Sequence, residues 1–274
     1  MKPMITYCPD YYKEFKCIAS ACKHTCCAGW EIDVDESSLQ RFSEHPDIAS
    51  HIEGNSIVLD DNERCPFLLP DGLCDMILKH GEDFICDICR EHPRFYNEFE
   101  DHEETGLGLV CEEACRLILD REQDFSLCPE RPLSDEIKTV FDINVPLSDA
   151  LSKLKPYTSD SITRARFIKT LEVMDLAWTE LIDRIEKASP SISEEKAVID
   201  SNRRRFSNFT AYLLYRYPEE TGFAVESTYL LADLVLTGTD IHEAARMFSG
   251  EIEYSDINID KAADKWYYSR VEDA

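Results

Sequence analysis

The chain has no cysteine after Cys128, only 9 glycines in 274 residues, and no apolar run approaching the roughly 18 residues of a membrane-spanning helix. Each absence narrows what it can be. No membrane span is expected. Met1-Lys2-Pro3-Met4-Ile5-Thr6 lacks the apolar stretch of about 7 to 15 residues that a secretory signal carries, so a cytoplasmic location is expected. Gly106-Leu107-Gly108 runs on into Leu109-Val110-Cys111, without the third glycine and helix start of a phosphate-cradling turn, which argues against a doubly wound nucleotide-binding fold. Basic residues are also scarce: 29 stand against 55 acidic ones, for a formal charge of -26. That field repels phosphate backbones and anionic lipid, so neither nucleic acid nor membrane is an expected partner; it serves solubility or attracts a lysine-bearing or otherwise basic partner, and charge alone does not decide between the two.

What is present is sulfur. Nine of the 12 cysteines form a framework: Cys17-x4-Cys22-x3-Cys26-Cys27, Cys65, Cys74, Cys86-x2-Cys89 and Cys111. With 43% apolar residues the chain can bury a core without disulfide staples, and in a reducing compartment so dense a set of thiols points to metal binding. Zinc takes four tetrahedral ligands and a [4Fe-4S] cluster takes four thiolates, so nine cysteines fill at most two complete sites. Only Cys86-x2-Cys89 has zinc-knuckle spacing; the longer steps from Cys17 to Cys26 suit a loop wrapped around a larger object, so an iron-sulfur cluster is favoured over zinc. On a helix or a strand the side chains of Cys26 and Cys27 diverge, which means that they serve two sites or that one of them is not a ligand. Cys8, Cys115 and Cys128 lie outside the framework, and Cys115 fits a core position.

Other groups near the sulfurs invite a role. Arg90 and Arg94, in Cys89-Arg90-Glu91-His92-Pro93-Arg94, can neutralise an anionic cluster, grip a substrate carboxylate, or simply pair with neighbouring acids. Trp30 can roof a site, stack on a cation or an adenine, or pack over the cysteine loop. His92 reads as a core histidine rather than a ligand.

The expected fold is mainly α: a cysteine-rich metal-binding region over residues 1–128, with short helices and a small hairpin, then an α-helical domain over 129–274. Asp35 should cap a helix bearing Leu39 and Phe42 that ends before Pro46, and Asp47 a second containing Ile48 and Ile52 up to Gly54, with a short strand from Ser56 to Leu59. Pro70-Asp71-Gly72 should turn the chain between Cys65 and Cys74. Arg94–Phe99 and Gly106–Val110 should pair as a hairpin delivering Cys111, with a helix following over Glu112–Leu119. Phe167, Leu171, Met174, Trp178, Leu181 and Ile185 recur at steps of 4, 3, 4, 3 and 4, which predicts one helix with a buried stripe. A second helix should run from Ser193 to Tyr217, before Pro218, and a third, apolar nearly all round, from Val225 to Leu236.

Cys17-x4-Cys22-x3-Cys26-Cys27-x-Gly29-Trp30, Arg64-Cys65-Pro66-Phe67-Leu68, Asp71-Gly72-Leu73-Cys74, Cys86-x2-Cys89-Arg90 and Pro93-Arg94 together resemble the FliB-type flagellin lysine-N-methylases, within a broader cysteine-rich group of zinc- or iron-chelating proteins. A weaker likeness continues through Asn208–Tyr217 and Phe248–Ser255. The resemblance implies methyl transfer from S-adenosylmethionine to flagellin lysines by an enzyme holding a [4Fe-4S] cluster, with Trp30, Arg90 and Arg94 as candidate cofactor contacts. The chain departs from a radical-type Cys-x3-Cys-x2-Cys loop, since Cys27 directly follows Cys26. It has Gly250 between Ser249 and Glu251, where the family pattern has arginine. No residue is identified as catalytic. The alternative reading is a non-enzymatic zinc- or iron-binding protein whose helices form an interaction module.

Overall fold

The computed structural model describes residues 4–267. Two compact units emerge: Lys16–Arg94 with Cys111–Glu113 make one, and the rest of the described chain makes the other. All nine framework cysteines fall in the first unit, while Cys8, Cys115 and Cys128 fall in the second. The second unit also takes the segment up to Phe15 and the stretch Phe95–Val110, so the division does not run at residue 128.

In the helical unit the helix Thr221–Leu236 is buried along nearly its whole length, as its apolar surround requires. Helices Ser161–Ile168, Ile192–Ser201, Arg203–Arg216, Ile241–Phe248 and Asp256–Trp266 pack around it. The same unit holds a four-stranded sheet. Strand β1 (Ile5–Pro9) runs parallel to β6 (His102–Leu107) and antiparallel to β7 (Leu127–Cys128), in the order β5-β6-β1-β7 with β5 at Arg94–Glu98. The Tyr215 hydroxyl lies 3.1 Å from the carbonyls of both Tyr7 and Thr105, which ties the helix Arg203–Arg216 to β1 and β6. Cys8 stands opposite Cys128 in register, and Cys115 is buried with its thiol toward the His242 carbonyl.

Gly106 shows why that position is glycine. Its backbone is ordinary, but a Cβ built on it would overlap the Phe95 ring across the sheet. The residue is thus a seat for an aromatic ring and takes no part in a phosphate turn. Gly106→Ala is expected to cost about 1–3 kcal/mol by overpacking, read as a lower denaturation midpoint; an unchanged midpoint would show that the ring moves aside freely.

Several elements differ from the sequence expectation for identifiable reasons. The stripe from Phe167 to Ile185 is two helices, Ser161–Ile168 and Leu176–Ala188, and Met174 is half exposed. The break is held by later chain: Asn258 Oδ1 accepts from Glu172 N, the Glu251 carboxylate accepts from Met174 N and Asp175 N, and Asp175 then caps the second helix. The helix expected over Ser193–Tyr217 is likewise divided at Asn202 into Ile192–Ser201 and Arg203–Arg216. Arg203 turns away to donate to the carbonyls of Asp142 and Val145. The short helix after Phe42 is Pro46–Ala49, with His45 at its N-cap and Asp47 inside its first turn; Ile52 belongs to a strand.

In the cysteine-rich unit, β2 (Ile32–Asp33), β3 (Ile52–Glu53) and β4 (Ser56–Ile57) form a small sheet in the order β2-β4-β3. Its core gathers Ile32, Val34, Phe42, Ile48, Ile57, Phe67, Met76 and Ile85, and takes in Cys65 and Cys86. Among the described residues no helix is long and apolar enough to cross a membrane.

Candidate functional site

The cysteine-rich unit builds its sulfur site from turns. At Pro70-Asp71-Gly72 the chain reverses as the composition demands: Gly72 has φ +81°, Asp71 Oδ1 accepts from Leu73 N, and Leu68 bridges Cys74. Farther back Cys65 N donates to the Cys27 carbonyl at 2.8 Å, while Ala28 bridges Arg64. These contacts bring Cys27, Cys65 and Cys74 to one locality. Cys86 and Cys89 join them from the short helix Asp87–Glu91, their side chains in mutual hydrogen bond. Cys65 and Cys86 are buried in the apolar core, and Cys27, Cys74 and Cys89 pack against it.

Cys17, Cys22, Cys26 and Cys111 lie outside that core. Cys22 donates to the His24 carbonyl at 2.8 Å and lies 3.5 Å from Glu112 Oε2, next in sequence to Cys111. Lys23 N donates to the same carboxylate at 2.7 Å. Desolvation opposes ionisation of Glu112, but these donors hold its carboxyl below the usual range. Cys26 and Cys27 sit in a turn with their thiols in mutual hydrogen bond, which draws neighbouring side chains together in a way that no regular helix or strand allows. Within this pair, as within Cys86 and Cys89, one thiol falls below its ordinary value because the other donates to it, and the donor rises.

No disulfide joins any cysteine among the described residues. Nor do three or more His, Cys, Asp or Glu side chains there stand at the spacing of a single-ion site. A zinc ion with bonds of about 2.3 Å would need sulfurs about 3.8 Å apart. The donor chemistry fits a thiophilic metal: two neighbourhoods of thiols, one lining an apolar core where an unneutralised thiolate is costly.

The other candidates are engaged locally. Arg90 is exposed and pairs with Asp87 and, at 3.6 Å, with Glu91. Arg94 donates to the Arg90 and Glu91 carbonyls. Trp30 donates from Nε1 to the Cys26 carbonyl at 2.7 Å and packs on the apolar core, its ring 6.0 Å from that of His92. Burial alone pulls His92 down to about 4, so it is neutral near pH 7.

Asp35 supports the site from beneath. Its Oδ1 caps the helix Glu36–Ser43 by accepting from Ser38 N, and its Oδ2 accepts from Asp87 N, at the start of the helix that carries Cys89. Desolvation works against ionisation, but these bonds and those from Ser37 and Ser38 hold the carboxyl far below the usual range. Asp35→Ala is therefore expected to cost about 0.5–2 kcal/mol, read as a lower urea midpoint at pH 7. Because the folded carboxyl is the stronger acid, its contribution is present above about pH 4 and is lost as pH falls below the unfolded value. A wild-type to variant gap as large at pH 2 as at pH 7 would contradict this role.

A second concentration of chemistry, in the helical unit, was not singled out from the sequence. The Tyr212 hydroxyl donates to Glu253 Oε1 at 2.8 Å, and Arg216 Nη1 donates to the Tyr212 hydroxyl at 2.7 Å. The Arg216 guanidinium lies 4.7 Å from the Phe95 ring centre and 5.4 Å from that of Tyr217. Glu253 closes the π-helical turn Ser249–Glu253. The two carboxy-terminal segments of weak family likeness thus meet here; the i, i+4 step from Tyr212 to Arg216 was the available signal.

Among curated proteins, the chain is 26% identical over 149 residues to the flagellar biosynthetic protein FliU of Salmonella muenchen, a match covering 49% of this chain and 88% of that protein. It is 25% identical over 169 residues to the lysine-N-methylases of Salmonella typhimurium and Salmonella choleraesuis, covering 56% of this chain and 41% of each relative. The match therefore spans less than half the length of those two enzymes. No family profile matches the chain, and no solved structure does.

Proposed function

We propose, for a chain whose relatives assign it to the FliB-type lysine-N-methylases, that it methylates lysine side chains of a flagellar protein, with S-adenosylmethionine as methyl donor and a [4Fe-4S] cluster among its cysteines. The observation that carries the metal part is the gathering of all nine framework cysteines in one compact unit. A bound cluster would supply a redox-capable, sulfur-ligated centre; Cys17, Cys22, Cys26, Cys27, Cys65, Cys74, Cys86, Cys89 and Cys111 are the residues that would hold it.

The chain's own residues have two further tasks. A net charge of -26 raises the local concentration of a lysine-bearing substrate. The lysine must shed its proton before its nitrogen can attack, because the ammonium has no lone pair. Arg90 and Trp30 keep their local partners in this reading and act as supports for the cysteine loops.

Anaerobically purified protein, loaded with iron and sulfide and incubated with S-adenosylmethionine and flagellin, should add methyl-group masses to flagellin lysines. A fully loaded protein that leaves every lysine unmodified would favour the non-enzymatic metal-binding reading, which draws on the same sulfurs.

A further inference from the structure

Two of the three cysteines outside the framework face each other across the sheet of the helical unit. β1 and β7 run antiparallel with Cys8 opposite Cys128 and Pro9 opposite Leu127. Along the same ladder Asp10 N donates to the Ser126 carbonyl at 3.0 Å, and hydrogen-bonded pairs recur at every second residue, so Cys8 and Cys128 form such a pair. Pro9, which has no N–H to donate, takes the intervening position that this ladder leaves unbonded. Opposed residues of a hydrogen-bonded antiparallel pair have Cα atoms about 5.5 Å apart and side chains on one face of the sheet, inside the span of about 4.4–6.8 Å that a disulfide bridges. The Cys8 thiol already reaches its partner residue, lying 3.5 Å from the Cys128 carbonyl oxygen. The two are not bridged.

We propose that Cys8 and Cys128 are a redox-reactive dithiol that closes to a disulfide by exchange with a small disulfide such as oxidised glutathione. Their surroundings divide the two roles. Cys128 is half-buried, so an oxidant can reach it, and Lys13 Nζ donates to its sulfur at 4.0 Å, which places a cation beside the thiolate that attacks. Cys8 is buried and serves as the resolving thiol. The Cys128 thiolate attacks one sulfur of oxidised glutathione, breaking its S–S bond, forming a mixed disulfide and releasing one glutathione thiolate. Cys8 then loses its proton and attacks the Cys128 sulfur, which expels the second glutathione. Two electrons pass from the protein thiols to the oxidant, and the two thiol protons end on the two glutathione thiolates. In a reducing pool the pair stays open; it closes as oxidised glutathione accumulates, joining strands whose cysteines lie 120 residues apart in the chain. Neither the framework metal nor methyl transfer enters this reaction.

The test exposes the full chain, reduced and folded, to oxidised glutathione, then quenches with acid, alkylates and digests with trypsin without reduction, for mass spectrometry. Trypsin does not cut before Pro3 or Pro132, so Cys8 and Cys128 are each the one cysteine of their peptides, residues 1–13 and 122–138, and oxidation of the framework does not enter the readout. The two peptides should appear joined, lighter than their sum by two hydrogens, and dithiothreitol should part them. Cys8→Ser should instead accumulate glutathione on Cys128, because nothing resolves the mixed disulfide, whereas Cys128→Ser should leave Cys8 unmodified over the same time. Far-UV circular dichroism checks that each variant folds; where one does not, the wild-type chain alone decides, through the joined peptides and through faster alkylation of Cys128 than of Cys8. Peptides that stay separate in the folded chain under excess oxidised glutathione, a joined pair that forms only in urea, or glutathione on Cys8 when Cys128 is replaced would overturn the pairing.

Discussion

Replacing Arg164 by methionine is expected to destabilise the helical unit by about 3–5 kcal/mol at pH 8, because it leaves buried carboxylates without their cation. Arg164 is fully buried and donates from Nε to Asp233 at 3.0 Å, pairs with Glu195, and lies 3.6 Å from Glu226. Lys155 supplies the other cation, on Glu226. Three carboxyls face two cations, so the nest carries one surplus negative charge unless a proton stays. Desolvation, only partly offset by Arg164, pushes Asp233 up to about 8, and burial raises Glu195 as well. Glu195 Oε2 and Asp233 Oδ1 find no donor among the described side chains, and a proton shared between the two carboxyls supplies one.

The sign of the pH dependence follows. An acid whose folded value lies above its unfolded value of about 3.9 holds its proton more tightly in the folded state, so the contribution of Asp233 to stability is fully present below pH 4 and is lost as pH rises toward 8. Arg164→Met should steepen that decline, since its carboxyls lose the charge that favours ionisation. Urea denaturation of both proteins at pH 5 and pH 8 measures this. A gap that does not widen with pH would show that the carboxyls are not held by Arg164.

The proposed methyl transfer should accelerate about tenfold per pH unit between pH 6 and 8, roughly 100-fold in all, when measured as kcat/KM for flagellin. A lysine with the ordinary value of about 10.4 is almost wholly protonated there, and its neutral fraction grows tenfold for each unit. A nearby carboxyl raised toward neutrality would flatten the profile by taking the proton itself. In the cysteine-rich unit the carboxyls that depart from ordinary values, Asp35 and Glu112, are both held low, which makes them weak bases. The raised carboxyls, Glu104, Glu195, Glu220, Asp233 and Glu251, belong to the other unit. A rate independent of pH across this range would mean that another group deprotonates the lysine.

Short-range signals in the sequence were legible where the chemistry is local. Asp35 caps its helix, the turn at Gly72 forms, the helix Glu112–Leu119 is found over those residues, and the all-apolar helix near Val225 is buried. The hairpin before Cys111 also forms, but its return strand starts at His102, four residues before Gly106. Periodicity misled where distant side chains intervened: nothing between Phe167 and Ile185 announces that Glu251 and Asn258 will claim backbone donors at Glu172, Met174 and Asp175. The Arg164 nest was invisible for the same reason, its carboxylates lying 31 to 69 residues from the arginine they surround.

The sequence by itself determined that this chain is mainly helical, acidic, and loaded with thiols at one end, since hydrophobic period, charge and residue chemistry need no knowledge of distant contacts. Only the tertiary structure decided that the nine framework cysteines share one unit and fall into a core-lined and an outer set, with the Phe95–Val110 strands belonging to the other unit. The reason is physical: spacing fixes which neighbours a residue can reach along its own helix or strand, whereas burial and hydrogen bonding between remote segments fix which sulfurs come to share one surrounding.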